Sequence, residues 1–380
     1  MKNQQNKTNI KTALVLPGGG ARGAYQVGVV KAITEILDAD NNPFPVICGT
    51  SAGAINAGVL ASHADEFNFG VSQLEKFWAN LQCKDVYRTD SLNIFATLSR
   101  LIASILFGVF GISPPRSLLD NAPLAQLLRQ STKLEGIERS ITSEYLDGVS
   151  ITASAYTTAN AVSFFQGKQS LAEWQRSRRI GLRQDISVDH LLASTALPFL
   201  FPAQKVGNQY YGDGGLRMVA PLGPAIHLGA ERILIIGTRD RRMISEPASP
   251  TDYPSMAALG GYLLDTIFMD NLDADISRLK RINHTLSKMD NEQRKSTGLR
   301  KIKTLEILPS VDVRDITREH ASSIPRSVRY LLKAIGGWGT DWRMPSYLLF
   351  ESAYTKTLME LGYQDALSQR SKIRSFFEID

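Results

Sequence analysis

Gly49-Thr50-Ser51-Ala52-Gly53 sets a hydroxyl between two glycines in a Gly-x-Ser-x-Gly pattern. Before it runs Pro45-Val46-Ile47-Cys48, apolar and suited to a strand. After it runs Ala54-Ile55-Asn56-Ala57-Gly58-Val59-Leu60-Ala61, rich in small residues and suited to a helix. A serine on a sharp strand-to-helix turn has its hydroxyl presented as a nucleophile. The flanking glycines fit a turn in which strand and helix approach too closely for a Cβ. A helix N-terminus at Ser51 would also favour developing negative charge. Taken alone, the pentapeptide equally fits a purely structural turn.

A second glycine-rich turn, Gly18-Gly19-Gly20-Ala21-Arg22-Gly23, follows the apolar run Ala13-Leu14-Val15-Leu16-Pro17. Ala24–Leu37 then places apolar residues at 29, 30, 33, 36 and 37, the spacing of a helix. Successive glycines expose backbone N–H groups that can cradle an oxyanion or a phosphate. Gly18-x-Gly20-x-x-Gly23 also fits a dinucleotide fingerprint, but that motif wants an acidic residue at the end of the second strand. Here that strand runs through Cys48-Gly49 into Ser51, and Asp38 and Asp40 lie earlier in a polar loop. A nucleophile stands where the ribose-binding acid belongs, which favours an oxyanion hole. No Gly-Lys-Ser or Gly-Lys-Thr follows, so a phosphate P-loop fits less well still. Asp213-Gly214-Gly215 ends the strand-like Gln209–Gly212 and holds a carboxylate in a tight loop.

These motifs together resemble the patatin-like phospholipase family. Gly18–Gly23 matches that family's oxyanion-hole motif, Gly49–Gly53 its nucleophile elbow and Asp213–Gly215 its catalytic Asp-Gly-Gly. Ala193-Ser194-Thr195-Ala196-Leu197-Pro198 with Phe201-Pro202 resembles a block the family carries upstream of the aspartate. The family has a further proline where this chain has Ala203. The resemblance spans about residues 12–240. It implies an α/β three-layer sandwich, with a mostly parallel central sheet flanked by helices and a helical C-terminal region. It implies a Ser51–Asp213 dyad, an oxyanion hole from Gly18, Gly19 and Gly20, and motif support from Arg22, Gly23, Gly49, Gly53, Gly214 and Gly215. The expected substrate is a phospholipid or lysophospholipid ester, and the expected chemistry uses neither cofactor nor metal. Arg22 is expected to fix its loop or to meet a phosphate headgroup. Of the five histidines, His190 and His227 lie nearest the motifs in sequence. Neither sits in a glycine-rich turn, and surface or satisfied histidines are expected. Two other functions stay open: hydrolysis of small soluble esters or thioesters, and a non-enzymatic membrane- or partner-binding protein with a relic site.

The elements that must position these groups divide the 380 residues into a polar tail over 1–11, a catalytic domain over 12–240 and a mainly helical region over 241–380 packed on it. Within the middle part an apolar insertion at about 91–115 includes Leu101–Ile112, too short after Arg100 to span a bilayer, which needs about 20 residues. It is expected to be core packing or a flap beside the site. Leu263, Leu264, Ile267, Phe268, Leu272, Ile276 and Leu279 predict a helix, Leu305–Pro309 a strand returning to the sheet, and 346–361 another helix. Hydrophobic residues at 43% and charged residues at 21% indicate a folded globular chain. Cys48 and Cys83 are too few for a disulfide framework and suit a reducing compartment. The N-terminal stretch has no apolar signal core. The expected location is cytoplasmic, with peripheral membrane association, and a non-Sec secretion route stays open. A net charge of +6 comes without a nucleic-acid motif. Arg176, Arg178, Arg179 and Arg183, then Arg239, Arg241 and Arg242, could meet an anionic membrane surface or form a solvated face.

Overall fold

The computed structural model describes residues 10–379, apart from 40, 91–95, 98, 101–102, 105–112, 241–252, 254 and 340–341. Most of the apolar insertion, and Arg241 and Arg242, therefore lie outside the described residues. Ten strands form one sheet: β1 (Thr12–Leu16), β2 (Val46–Thr50), β3 (Gly148–Ala155), β4 (Ala161–Gly167), β5 (Trp174–Arg176), β6 (Arg179–Arg183), β7 (Gln204–Val206), β8 (Gln209–Asp213), β9 (Arg232–Ile236) and β10 (Lys303–Ile307). Their order is β10-β9-β1-β2-β3-β4-β6-β5, with β8 beside β3 and β7 beside β8. The run from β10 to β3 is parallel. β1, β2 and β9 are buried at every residue, which is why their sequences are unbroken apolar runs and not alternating ones.

Helix α1 (Gly23–Leu37) links β1 to β2, and α2 (Ala52–Ser62) leaves the end of β2. Together with α3 (Phe67–Asn80) and the C-terminal helix Ser352–Ser368 they flank the sheet. Among the described residues no helix is long and apolar enough to cross a membrane.

One register brings two distant loops together. On β3, the partner β2 stops at the pair Thr50↔Thr152. The antiparallel β8 takes over at the next residue, Ala153↔Asp213. Because β4 occupies the other side of β3 through Ser154, β2 and β8 share one side and meet end to end. Ser51 follows the last residue of β2, and Asp213 is the last residue of β8.

The C-terminal third differs from its expected elements in detail. The strand is β10, which starts two residues early and pairs with β9. The periodic stretch around 263–279 is two helices, Met256–Asp265 and Asn271–Lys288, joined by a π-turn at Thr266–Asp270. The wider turn lets Phe268 point inward, where it is buried. The helix expected over 346–361 breaks at Leu349, so that Arg343–Leu348 and Ser352–Ser368 are separate.

Candidate active site

Ser51 is the N-cap of α2 with φ 55° and ψ −130°, a conformation rare for a side-chain-bearing residue. Such strain costs about 1–3 kcal/mol and persists only where the surroundings impose it. The glycines on either side show how. A Cβ on Gly53 would stand 2.1 Å from the Leu16 carbonyl oxygen, and one on Gly49 2.3 Å from the Gly53 carbonyl oxygen. Behind the turn, the Ser51 amide donates to Ser194 Oγ at 2.9 Å, and that hydroxyl donates to the Thr152 carbonyl at 2.6 Å. Ser194 thus ties the elbow to β3.

Asp213 is fully buried. Its Oδ1 accepts from the Gly215 amide at 2.9 Å, and its own amide donates to the Ala196 carbonyl at 2.8 Å. Burial pushes its carboxyl up to about 7, opposed by the Ser51 hydroxyl and the Gly215 N–H, which both favour the ionised form. Ser51 is close enough to exert that pull, yet Oδ2 of Asp213 closes no hydrogen bond. The two side chains are adjacent but not clasped.

The turn at Gly18–Gly23 lies against this pair. A Cβ on Gly18 would stand 2.8 Å from Ser51 Cβ. The Gly18 carbonyl is turned aside to accept from Thr238 Oγ1 at 2.9 Å. Among the described residues no acceptor takes the amides of Gly18 or Gly19. Gly20 has φ +55°, and a Cβ there would meet the Tyr347 carbonyl oxygen at 2.3 Å. Below the turn runs a buried polar chain. Trp78 Nε1 donates to Asn56 Oδ1 (2.8 Å), Asn56 Nδ2 to Gln26 Oε1 (3.0 Å), and Gln26 Nε2 to the Pro17 and Ile236 carbonyls (2.9 and 3.1 Å). Phe268 closes the top, near both Gly18 and Gly215.

Arg22 is buried and inward-facing. Its guanidinium donates to Ser346 Oγ from Nε (2.9 Å) and Nη2 (2.6 Å), and to Asp265 and the Tyr347 hydroxyl from Nη1 (both 3.2 Å). It also stacks 3.9 Å above the Tyr347 ring. Of the two expected roles, fixing the loop fits, and contact with a headgroup does not, because the fork is fully engaged with the C-terminal region. Gly23 and Gly214 hold close backbone approaches, to Ala52 and to the Thr152 carbonyl.

No histidine hydrogen-bonds to Ser51 or Asp213 among the described residues. His190 caps a helix through Ser187 and meets Gln184, with burial pushing it down to about 4. His227 stacks on Trp174 at 4.7 Å, and burial, then Arg176, Arg179 and Arg300, push it to about 4. In the basic cluster, Arg183 is spent on the carbonyls of Gly167, Lys168 and Leu171.

An apolar cavity opens beside Ser51, lined by Ile55, Leu124, Leu197, Phe201 and Phe350 among others. Sequence reasoning missed Gln26, Asn56, Thr238, Phe268 and Tyr347. For the first two there was a signal: each is a lone amide on an otherwise apolar or small-residue helix. For the last three there was none, since their contacts are made across the fold.

The chain is similar to known patatin-like phospholipases. The family model for patatin-like phospholipase matches residues 14–226. Calcium-independent phospholipase A2-gamma of Oryctolagus cuniculus is 25% identical over 223 residues, 56% of this chain and 25% of that protein. Lysophospholipase nte1 of Aspergillus terreus is 34% identical over 18% of this chain and 7% of its own length. The chain thus spans a quarter or less of the length of these curated relatives. Among solved structures, VipD from Legionella pneumophila superimposes with a TM-score of 0.40 at 12% identity, covering 96% of this chain and 67% of that one. With the family's model covering more than half of its residues, this chain belongs to the patatin-like phospholipase family.

Proposed function

We propose that the chain is a lipid acyl hydrolase of phospholipase A or lysophospholipase type, working through Ser51 and Asp213. The observation that carries this is the end-to-end meeting of β2 and β8 on β3, which seats a buried carboxylate beside a strained serine. Asp213 takes the Ser51 proton as Oγ attacks the ester carbonyl, a general-base contribution of about 10²–10⁴ in rate. The tetrahedral oxyanion faces the amides of Gly18, Gly19 and Gly20, where loss of one donor costs about 10²–10³. Asp213 returns the proton to the leaving alcohol, and an acyl-enzyme remains. Water, deprotonated by Asp213, then frees the fatty acid and restores Ser51.

The catalytic unit is residues 12–240, with 241–380 packed on it and contributing Phe268 and Tyr347 to the site. The working location is cytoplasmic and peripheral to a membrane, where lipid esters are presented. Hydrolysis of small soluble esters is the second reading. The apolar lining of the cavity beside Ser51 favours the lipid reading, because contact with it rewards methylenes that a small ester lacks. A relative is named calcium-independent, and among the described residues no three His, Cys, Asp or Glu side chains converge as a metal site would need. The reaction proposed here is written without a divalent cation, and the test includes EDTA.

The test is hydrolysis of mixed phospholipids and of an ester series of rising chain length. Ser51→Ala and Asp213→Asn should each lower activity by about 10²–10⁴ while unfolding cooperatively, and EDTA should leave the wild-type rate unchanged. A folded Ser51→Ala protein with wild-type turnover would sink the proposal. A peak at acetyl or butyryl esters with none on lipid micelles would install the second reading.

A further inference from the structure

Two side chains of the cavity beside Ser51, Phe77 and Leu81, also line a second one. That second one is an open surface groove between α3 and the helix Ala122–Ser131. Its lining mixes Val59 and Leu127 with Gln73, Lys76, Asn80 and Asp85. Among the described residues only Phe77 and Leu81 are common to both, so they stand between an apolar interior and a groove open to solvent. Leu81 is buried just past the last turn of α3, with its backbone extended (φ −65°, ψ 138°). Phe77, one turn earlier and half-buried, is braced edge-on against Trp78 at 5.8 Å. Trp78 in turn stacks on Phe350 at 6.4 Å.

We propose that Phe77 and Leu81 form the end wall of an acyl-chain pocket that begins at Ser51, and that this wall sets the longest saturated chain the protein binds with full gain. The inference rests on reading Ser51 as the acyl-transfer residue. A chain attached at Ser51 runs along Ile55, Leu124 and Phe350, and each methylene removed from water there strengthens binding. The cavity is narrow, so the chain enters by parting flexible side chains. At the wall the gain falls, because further methylenes would have to emerge into a groove open to water. A smaller side chain at 81 removes part of the wall and lets the chain continue. A larger one at 77 thickens it and shortens the pocket.

The experiment measures binding of saturated fatty acids of increasing length to the full chain carrying Ser51→Ala, which separates binding from turnover. Affinity should rise roughly fourfold per added methylene, then level off at one length. Adding Leu81→Ala should move the plateau longer by two carbons or more, and adding Phe77→Trp should move it shorter. Cooperative unfolding of each variant checks the fold, and Phe77→Trp carries the test if Leu81→Ala fails to fold. A plateau that stays at one length in the folded variants overturns the wall, as does affinity that ignores chain length altogether. Lipid hydrolysis by the wild type decides the underlying reading separately. Turnover with an unmoved plateau refutes the wall alone, and a moved plateau without turnover refutes the hydrolase reading alone.

Discussion

The turn at Gly49–Gly53 is held by its neighbours, whereas the turn at Gly18–Gly23 is held by the far end of the chain. The first closes on itself and on β1: Gly49 lies on the Gly53 carbonyl and Gly53 on that of Leu16. The second depends on Thr238, on Tyr347 and on an Arg22 fork that reaches Ser346 and Asp265. Ser51 is thus placed by its own turn, β1 and Ser194, and the Gly18–Gly23 amides by packing against the C-terminal region. Damage to the C-terminal region should therefore loosen Gly18–Gly23 and spare Gly49–Gly53.

The largest expected effect is on Arg22→Ala. Removing a buried, multiply bonded guanidinium costs about 3–5 kcal/mol, read by denaturant unfolding. Amide exchange should quicken across residues 18–23 and stay slow across 49–53, and hydrolysis should fall about 10²–10³ as the oxyanion donors lose position. Arg22→Lys should not restore it, since one ammonium cannot reproduce the fork. Equal loosening of both turns would break the comparison.

Asp213→Asn should part stability from activity. The folded carboxyl sits at about 7, above its ordinary 3.8, so between those values the folded protein holds a proton that the unfolded chain has released. Wild-type stability is then lost as pH rises from about 4 to about 7, at about 1.4 kcal/mol per pH unit. The asparagine variant escapes this loss. It should match the wild type near pH 4 and exceed it by about 2–4 kcal/mol at pH 8, while wild-type turnover climbs through about pH 7 as the base ionises. A stability difference that does not change with pH would show that Asp213 does not carry this proton.

Gly20→Ala and Gly53→Ala sharpen the comparison through coupling. Each Cβ would run into a carbonyl oxygen, at 2.3 Å on Tyr347 and 2.1 Å on Leu16, a cost of about 1–3 kcal/mol. Combined with Arg22→Ala, which frees Tyr347 to move, Gly20→Ala should cost less than the sum of the two. Gly53→Ala should add in full. The smallest effect is a gain: Ser51→Gly should be inactive yet about 1 kcal/mol or more stabler than Ser51→Ala, because glycine takes φ 55° without strain. No gain in thermal unfolding would mean that the elbow stores none.

The sequence carried much of this arrangement. β1, β2 and β9 were visible as apolar runs because a strand buried on both faces needs no alternation. The elbow was visible because Gly49 must clear the Gly53 carbonyl a few positions on, while Gly53 must clear the Leu16 carbonyl of β1. The assignment of Ser51, Asp213 and the glycines to one reaction remains a proposal. The helical stretch around 263–279 was legible only in outline, because apolar periodicity does not reveal the π-turn at Thr266–Asp270, within which Phe268 is buried.

Residue types and spacing by themselves determined the strand–turn–helix form of both glycine-rich turns, and the motifs at Gly18–Gly23, Gly49–Gly53 and Asp213–Gly215 carried the resemblance to the family. These are short-range properties, written wherever backbone conformation or close approach restricts the side chain. Tertiary structure alone decided that Asp213 faces Ser51, since that follows from the register at which β8 replaces β2 along β3. It also decided that Arg22 is an anchor and not a headgroup contact. A guanidinium's partners depend on which distant groups are brought to it, and Ser346 and Asp265 reach Arg22 only when the C-terminal helices have docked.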